Sequence, residues 1–244
     1  MTKSGIRKYL VTLVDVLWVG SAVLVFSGLI VGVPIGLLAG EDFRAWLSTS
    51  LGSLLLSVLL YLVALILVLF PFWIRRLPVS SVVSRLGLEK PLGWRVISWS
   101  FLGWVTYLLI SVLVMAILTG LQIPGLDLNQ SQDVGFGNLS EPYEYVAAFI
   151  ALVVLAPVFE EIIFRGYLFG SLRRRHRFLT VSIITSLVFA AVHMQFNVGI
   201  DVFVMSLVMC YVRERLGSLW PAILIHAFKN GFAYIVLFIA PLYG

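Results

Sequence analysis

Residues 144–172 read EYVAAFIALVVLAPVFEEIIFRGYLFGSL, a stretch that is long and apolar enough to cross a lipid bilayer. A membrane helix needs about 20 predominantly apolar residues, and this run exceeds that length although Glu160, Glu161 and Arg165 interrupt it. Each charge at the centre of a membrane helix costs about 2.5–3.5 kcal/mol on insertion scales. We therefore expect a membrane helix whose charges are compensated by pairing, by water or by chemistry.

The composition of the whole chain agrees with this reading. Of the 244 residues, 61% are hydrophobic and 12% carry Asp, Glu, Lys or Arg, and the mean hydropathy is +1.04. A soluble globular domain has about a quarter of its residues charged, so a soluble core and a disordered chain are both excluded. The single cysteine, Cys210, has no partner for an intrachain disulfide or a thiolate cluster and is expected to be a buried apolar residue.

Seven apolar stretches predict an all-α, polytopic transmembrane helical bundle of about seven spans. The fifth and sixth stretches are the shortest or the most polar, and their boundaries are the least certain. The predicted spans are 10–39, 46–74, 96–120, 144–172, 178–195, 199–212 and 219–241.

Basic connections alternate with connections that have no excess of Lys and Arg. By the positive-inside rule this places the N-terminus in the cytoplasm and Gly244 outside, in a multi-pass protein of the cytoplasmic (plasma) membrane. The net charge of +5 is thus attributed to contact with the lipid bilayer, and no nucleic-acid partner is expected. We interpret the arginine cluster at 173–177 as a topology anchor, with a lipid or substrate site as the alternative. The basic connections hold Lys3, Arg7 and Lys8; Arg75, Arg76, Arg85, Lys90 and Arg95; Arg173, Arg174, Arg175 and Arg177; and Arg213 and Arg215.

Ionisable residues inside the spans divide the chain in two. Residues 1–143 form three generic spans, and the only ionisable residue inside these spans is Asp15. Residues 144–244 form a four-span core, and we expect the function to lie there. We assign Asp201 a structural role in the first turn of span six, where an acid suits the helix dipole, and we assign no role to Lys229. The intramembrane ionisable residues of the core are Glu160, Glu161, Arg165, His193, Asp201, His226 and Lys229.

The acids of span four have separate tasks. Glu161 and Arg165 are spaced i,i+4 with the acid first, the favourable order for an ion pair within a helix. Adjacent residues differ in direction by about 100°, so Glu160 is left free of that pair. Pro157 has no N–H to donate to the carbonyl of Val153, which predicts a bend and a hydrated backbone beside the acids.

Two more spans contribute polar groups that suit hydrolysis. His193 follows Phe189 by four residues, and His226 and Asn230 are also i,i+4. A carboxylate and an imidazole can share a water and take its proton, while an imidazole N–H and an amide can donate to a developing oxyanion. Measured from the predicted cytoplasmic ends, Glu160, His193 and His226 lie at depths of about 18, 22 and 10 Å. A helix tilt, a bend or a misplaced span boundary must account for the difference between these depths.

The three motifs together resemble a known family. Glu160-Glu161-x-x-x-Arg165, Phe189-x-x-x-His193 and His226-x-x-x-Asn230 are similar to the motifs of the CAAX-protease and bacteriocin-processing (CPBP, or Abi) family of intramembrane glutamate endopeptidases. The type II CAAX prenyl endopeptidase of eukaryotes is a member of that family. The resemblance covers residues 145–240 and makes the second half of the chain a CPBP-like core.

The resemblance implies a metal-independent endopeptidase with no cofactor. It assigns activation of the hydrolytic water to Glu160 and His193. It assigns the oxyanion hole to His226 and Asn230. By the same resemblance Glu161 and Arg165 support the site, and the substrate is a membrane-associated peptide or protein.

Other readings stay open at this point. A zinc site built from Glu160, His193 and His226 has acceptable ligand types but none of the usual spacing. The chain contains no H-E-x-x-H, G-x-S-x-G or G-x-G-D motif. A proton-coupled transporter would use Glu160 and Lys229, with Pro157 marking a broken helix. A catalytically idle immunity or scaffold protein that binds a peptide would keep the same motifs.

Overall fold

The structure is a computed structural model that describes residues 3–38, 40–122, 128, 136 and 139–242. These residues form helices and connections, and no strand occurs among them. The α-helices are α1 (Lys3–Ser21), α2 (Ser27–Leu38), α3 (Glu41–Leu47), α4 (Ser50–Ile74), α5 (Val79–Leu86), α6 (Trp94–Leu121), α7 (Pro142–Phe149), α8 (Ala156–Glu161), α9 (Gly170–Arg173), α10 (Phe178–Ala191), α11 (Phe196–Leu216) and α12 (Trp220–Tyr234). Wider π-helical turns at Ala22–Phe26, Ile150–Leu155, Ile162–Phe169 and Ile235–Ile239 and a 3₁₀ turn at Ala240–Leu242 continue several of them.

Helix length confirms a polytopic helical bundle. Among the described residues six helices are long and apolar enough to cross a membrane. The predicted fifth span corresponds to the apolar helix α10, whose 14 residues make it shorter than the others. The predicted sixth span, 199–212, extends in both directions to Phe196–Leu216. The six helices are Lys8–Leu38, Ser50–Ile74, Trp94–Leu121, Pro142–Arg173, Phe196–Leu216 and Trp220–Leu242.

The basic connections meet at one end of the bundle, which we call the basic end. Arg175, after α9, forms an ion pair with Asp15 of α1 at 2.5 Å. Lys90, before α6, donates to the carbonyl of Leu216 at the end of α11, with an N–O distance of 2.6 Å. Arg85, Arg173 and Arg213 line one cavity at this end. Three connections with excess Lys and Arg therefore lie together, and one of them contacts α1, as the alternation of charge along the sequence predicted.

The long helix Pro142–Arg173, called here the acid helix, begins at the opposite end. Pro142 occupies its first turn, and the Glu144 carboxylate accepts from the backbone N–H of Glu141 at 3.0 Å in a capping box. These are strong helix-start signals because they satisfy backbone groups that have no partner within the helix. The hydroxyl of Ser50 also donates to Glu144 at 2.9 Å, which fixes the start of the acid helix against α4.

The core surrounds the second half of the acid helix. Its interior is apolar and aromatic, and Cys210 is buried in it as expected. Gly103 lets α6 approach α12 closely, because a Cβ atom at that position would lie 2.7 Å from the Cδ1 atom of Ile225. The largest fully buried apolar side chains are Phe164, Phe169, Phe189, Ile163, Leu168, Leu172, Met205, Met209, Leu219 and Ile225.

Asp201 does not lie in the first turn of its helix, contrary to our prediction. Because α11 begins at Phe196, Asp201 is one turn further in. Its carboxylate accepts from the hydroxyls of Tyr107 at 2.8 Å and Ser111 at 2.5 Å, both on α6. Asp201 is therefore a link between two helices and not a partner of the helix dipole.

Candidate active site

The buried ion pair predicted on the acid helix is formed. The Arg165 Nη1 atom lies 2.8 Å from the Glu161 Oε1 atom, and both side chains are fully buried. The Arg165 guanidinium also lies over the ring of Phe189, 4.1 Å from its centroid. A carboxylate on one side and an aromatic face on the other together stabilise this buried positive charge.

His226 of α12 joins the two acids. Its Nδ1 atom lies 2.9 Å from Oε1 of Glu161, and its Nε2 atom lies 4.0 Å from Oε2 of Glu160. Glu161 Oε1 also accepts from Arg165, and the Nδ1–H group of His226 donates to the same oxygen. The second nitrogen of the ring is thereby directed toward Glu160.

Glu160 is the accessible acid of the pair. Its side chain is 18% exposed, whereas that of Glu161 is fully buried. Its Oε1 atom accepts a hydrogen bond of 2.8 Å from the hydroxyl of Tyr61 on α4. Within the described part of the chain, its Oε2 atom has no hydrogen-bond partner. One carboxylate oxygen is thus held in place by Tyr61, and the other is buried with its hydrogen-bonding capacity unused. A water or a substrate group would satisfy it.

Tyr61 is the site residue that sequence reasoning missed. It lies 99 residues before Glu160, and its ring stacks on that of Phe159 at 5.4 Å with an interplanar angle of 8°. A tyrosine within an apolar span is ordinary in membrane helices, so no local pattern marks it. The contact also joins the N-terminal helices to the C-terminal core, and the division at residues 143 and 144 stays a prediction.

His193 lies in the turn after α10, beside the same aromatic ring. Its Nδ1 atom is 2.8 Å from the carbonyl oxygen of Phe189, and the two rings meet edge to face at 4.9 Å. The ring of Phe189 also contacts the ring of His226, with 5.9 Å between the two ring centroids. A carbonyl only accepts, so Nδ1 carries the hydrogen and Nε2 of neutral His193 has a free lone pair. The charges of Glu160 and Lys229 also act on this imidazole.

The side-chain amide of Asn230 contacts the backbone of the acid helix. Its Nδ2 atom donates to the carbonyl of Leu152 at 2.8 Å. In the π-helical turn Ile150–Leu155 hydrogen bonds run from residue i+5 to residue i, so Pro157, which has no N–H, leaves the Leu152 carbonyl without a backbone donor. The prediction named the carbonyl of Val153 because it assumed α-helical spacing, and the structure adds the carbonyl of Leu152. The amide of Asn230 fills the gap, and its second N–H stays the predicted oxyanion donor.

The same π-helical geometry accounts for part of the difference between the predicted depths. With α-helical rise, Glu160 and His226 differ by about 8 Å in depth, yet their side chains approach to 4.0 Å. The stretch Ile162–Phe169, between Glu160 and the basic end, is π-helical. A π-helix holds more residues per turn and rises less per residue, so the acids lie closer to the basic end than α-helical spacing predicts.

The described residues contain no group of three or more His, Cys, Asp or Glu side chains that could hold a metal ion. Glu160, His193 and His226, the ligands of the zinc alternative, are thus not arranged around one ion.

A second feature adjoins the site. An apolar groove of about 800 Å³ runs between α6, α10 and α11 and reaches the residue after His193. Its lining includes Ile110, Leu187, Ala190, Met194, Phe203 and Leu207.

Known proteins resemble the part of the chain that carries this site. Residues 142–232 match the family model "Rce1-like: Type II CAAX prenyl endopeptidase Rce1-like", which confirms the resemblance predicted from the motifs. The Bacillus subtilis (strain 168) protein named "Putative membrane peptidase YdiL" is 29% identical over 83 residues, 34% of either chain. An "Uncharacterized 24.3 kDa protein" of Escherichia coli is 27% identical over 175 residues, 70% of this chain and 73% of that protein. No solved structure matches the chain.

Proposed function

We propose that this chain, whose residues 142–232 match the model of the Rce1-like type II CAAX prenyl endopeptidases, is an intramembrane endopeptidase. It hydrolyses a peptide bond with a water activated by Glu160. The observation that carries the proposal is the position of Glu160, with one oxygen bonded to Tyr61 and the other 4.0 Å from Nε2 of His226. The test is loss of substrate cleavage in a folded Glu160→Gln protein. An idle peptide-binding protein keeps its phenotype in that variant.

In the first step Glu160 takes a proton from the water through Oε2. The Nε2 lone pair of His193 accepts the second hydrogen bond of that water and orients it. The water oxygen then forms a bond to the carbonyl carbon, and the carbonyl oxygen becomes an oxyanion. When the C–N bond breaks, protonated Glu160 gives its proton to the leaving amine, and the Glu160 carboxylate is regenerated.

The oxyanion is stabilised by donors from α12. Because His226 gives its Nδ1–H to Glu161, its Nε2 donates to the oxyanion when the ring is protonated. The set of Glu160, Glu161, Arg165 and protonated His226 is electrically neutral, which makes a buried imidazolium acceptable. The second N–H of the Asn230 amide is the other donor. One such donor contributes about 10²–10³ in rate in known hydrolases.

The substrate is a membrane-associated peptide or protein. A scissile bond at Glu160 lies among membrane helices, and the apolar groove of about 800 Å³ beside His193 offers a path for an apolar segment from the bilayer. The protein itself resides in the cytoplasmic membrane with the basic end in the cytoplasm. A proton-coupled transporter is less favoured, because the group that meets Glu160 from the first half of the chain is the Tyr61 hydroxyl and not a second acid.

Replacing Tyr61 by Phe is expected to lower kcat about 10-fold or more with little change in KM. The change removes a hydrogen bond to a charged group, which contributes about 1.5–3 kcal/mol, and keeps the stacked ring beside Phe159. Kinetics of the purified variant check this, with Tyr143→Phe as the control because Tyr143 is exposed. Equal rates for the two variants would show that the Tyr61 hydroxyl plays no part.

Chelation of divalent metal ions is expected to leave the hydrolysis rate unchanged. The reason is that Glu161 is occupied by Arg165 and His226, and that the described residues hold no group of three His, Cys, Asp or Glu side chains placed to bind a metal ion. The measurement is activity of the purified protein after dialysis against EDTA and o-phenanthroline. A complete loss that zinc restores would replace the glutamate mechanism by the zinc alternative.

A further inference from the structure

A polar cavity of about 270 Å³ lies at the basic end, apart from the candidate active site. It is formed where α9, α11 and the end of α5 meet. Four of its lining residues are arginines and one is an acid. The lining is Arg85, Phe169, Gly170, Arg173, Arg174, Arg213, Glu214 and Gly217.

The charges of this cavity do not balance. Glu214 is bonded to Arg173 through contacts of 2.7 and 3.0 Å from Nη2 and Nε to Oε1. Among the described residues, Arg85, Arg174 and Arg213 have no ion pair with any acid. The cavity thus presents three positive charges that the protein itself leaves without a counter-charge.

Arg213 is the most constrained of the three. It is 8% exposed, and its Nε and Nη2 atoms donate to the carbonyls of Arg165 at 2.7 Å and Leu86 at 3.2 Å. Its guanidinium lies flat against Gly87, where a Cβ atom would come within 3.0 Å of Nη1. The guanidinium also lies over the ring of Phe169, 5.7 Å from its centroid, but it has no acid as an ion-pair partner among the described residues. A bound anion would offset the cost of burying this charge.

Arg85 and Arg174 stand at the mouth, where both are exposed. Arg174 is oriented by its own helix, since Nη1 donates to the carbonyl of Gly170 at 2.9 Å. Partial burial, followed by the positive charges of Arg85 and Arg175, lowers the pKa of Arg174. These cations repel one another, and an anion between them would remove the repulsion.

We propose that this cavity binds a phosphate group, carried by an anionic phospholipid or present as free phosphate. Guanidinium groups suit phosphate because their planar N–H donors match its oxygens in pairs. The cavity lies at the basic end, where a bundle with this charge pattern meets the anionic leaflet. Arg213 donates to the backbone carbonyl of Arg165, and the Arg165 side chain binds Glu161. An anion bound to Arg213 would therefore stabilise the position of Arg165. The binding itself does not depend on the proposed peptidase activity.

The test measures the thermal unfolding midpoint of the full-length protein in a neutral detergent, with sodium phosphate compared to sodium chloride of equal ionic strength. Saturating phosphate is expected to raise the midpoint by about 2–4 °C. Arg85→Gln/Arg174→Gln should weaken the apparent affinity about tenfold or more, whereas Arg215→Gln should not. Arg215 is the matched control because it is exposed on α11 and does not line the cavity.

A second arm separates the two sources of phosphate. The wild type and both variants are placed in nanodiscs of phosphatidylcholine with or without phosphatidylglycerol. If phosphatidylglycerol raises the unfolding midpoint, inorganic phosphate does not, and the double variant loses the rise, the ligand is the lipid headgroup. If inorganic phosphate gives this pattern instead, the ligand is a free anion. If neither phosphate source stabilises the wild type, or if Arg215→Gln loses as much as the double variant, the cavity is not a phosphate site.

Discussion

Replacing Glu160 by Gln is expected to lower the hydrolysis rate about 10²–10⁴-fold while the protein stays folded. Glutamine has the same shape and its carbonyl still accepts from Tyr61, so the helix contacts persist. Its amide cannot take a proton from water, and general-base catalysis alone contributes about 10²–10⁴ in rate. The loss should be seen in kcat, because the proton transfer takes place in the transition state and not on binding.

The control for this prediction is Glu41→Gln. Glu41 lies exposed in the first turn of α3, far along the chain from the motifs, and its loss removes the same charge. Its rate should stay within about twofold of wild type, since surface substitutions perturb little. A Glu160→Gln protein that cleaves as fast as Glu41→Gln would remove Glu160 from the mechanism.

Replacing Arg165 by Met is expected to lower the free energy of unfolding by about 3–5 kcal/mol. The substitution leaves the carboxylate of Glu161, which is fully buried, without its ion-pair partner and removes the cation from the face of Phe189. Neither side chain is exposed, so solvent does not screen the lost interaction. The measurement is denaturant unfolding in detergent, with Arg215→Met as the control on an exposed cation.

A double variant separates the lost charge pair from lost packing. Glu161→Leu/Arg165→Met removes both charges, so it should recover part of the stability that Arg165→Met loses. It should stay inactive, because His226 then lacks the acceptor that orients Nδ1. If Arg165→Met proves as stable as Arg215→Met, the pair does not hold the site together.

The fold class was predictable because its signals are local. Apolar length, the alternation of basic connections and the i,i+4 spacing of Glu161 and Arg165 are all properties of neighbouring residues. The structure agrees with each of them, including the meeting of the basic connections at one end. The sequence also indicated that His226 belongs with the acids, but only as one of three motifs and not through any stated contact.

The differences have separate physical causes. Sequence periodicity assumes α-helical spacing, and the acid helix departs from it in two π-helical stretches. This places the Leu152 carbonyl opposite Pro157 and shortens the distance from Glu160 to the basic end. Asp201 was misplaced because α11 begins three residues before the predicted span. Tyr61 was missed because its contact spans 99 residues and depends on how α4 packs.

The central claim is that Glu160 performs peptide hydrolysis within the membrane. Its most direct test compares the new protein N-termini in two membrane preparations, one with the wild type and one with an equal amount of Glu160→Gln protein. Quantitative mass spectrometry should find N-termini in or beside apolar segments of membrane-associated proteins that the wild type generates and Glu160→Gln does not. The same N-termini should reappear with Glu41→Gln. Identical sets of N-termini from wild type and Glu160→Gln would contradict the claim.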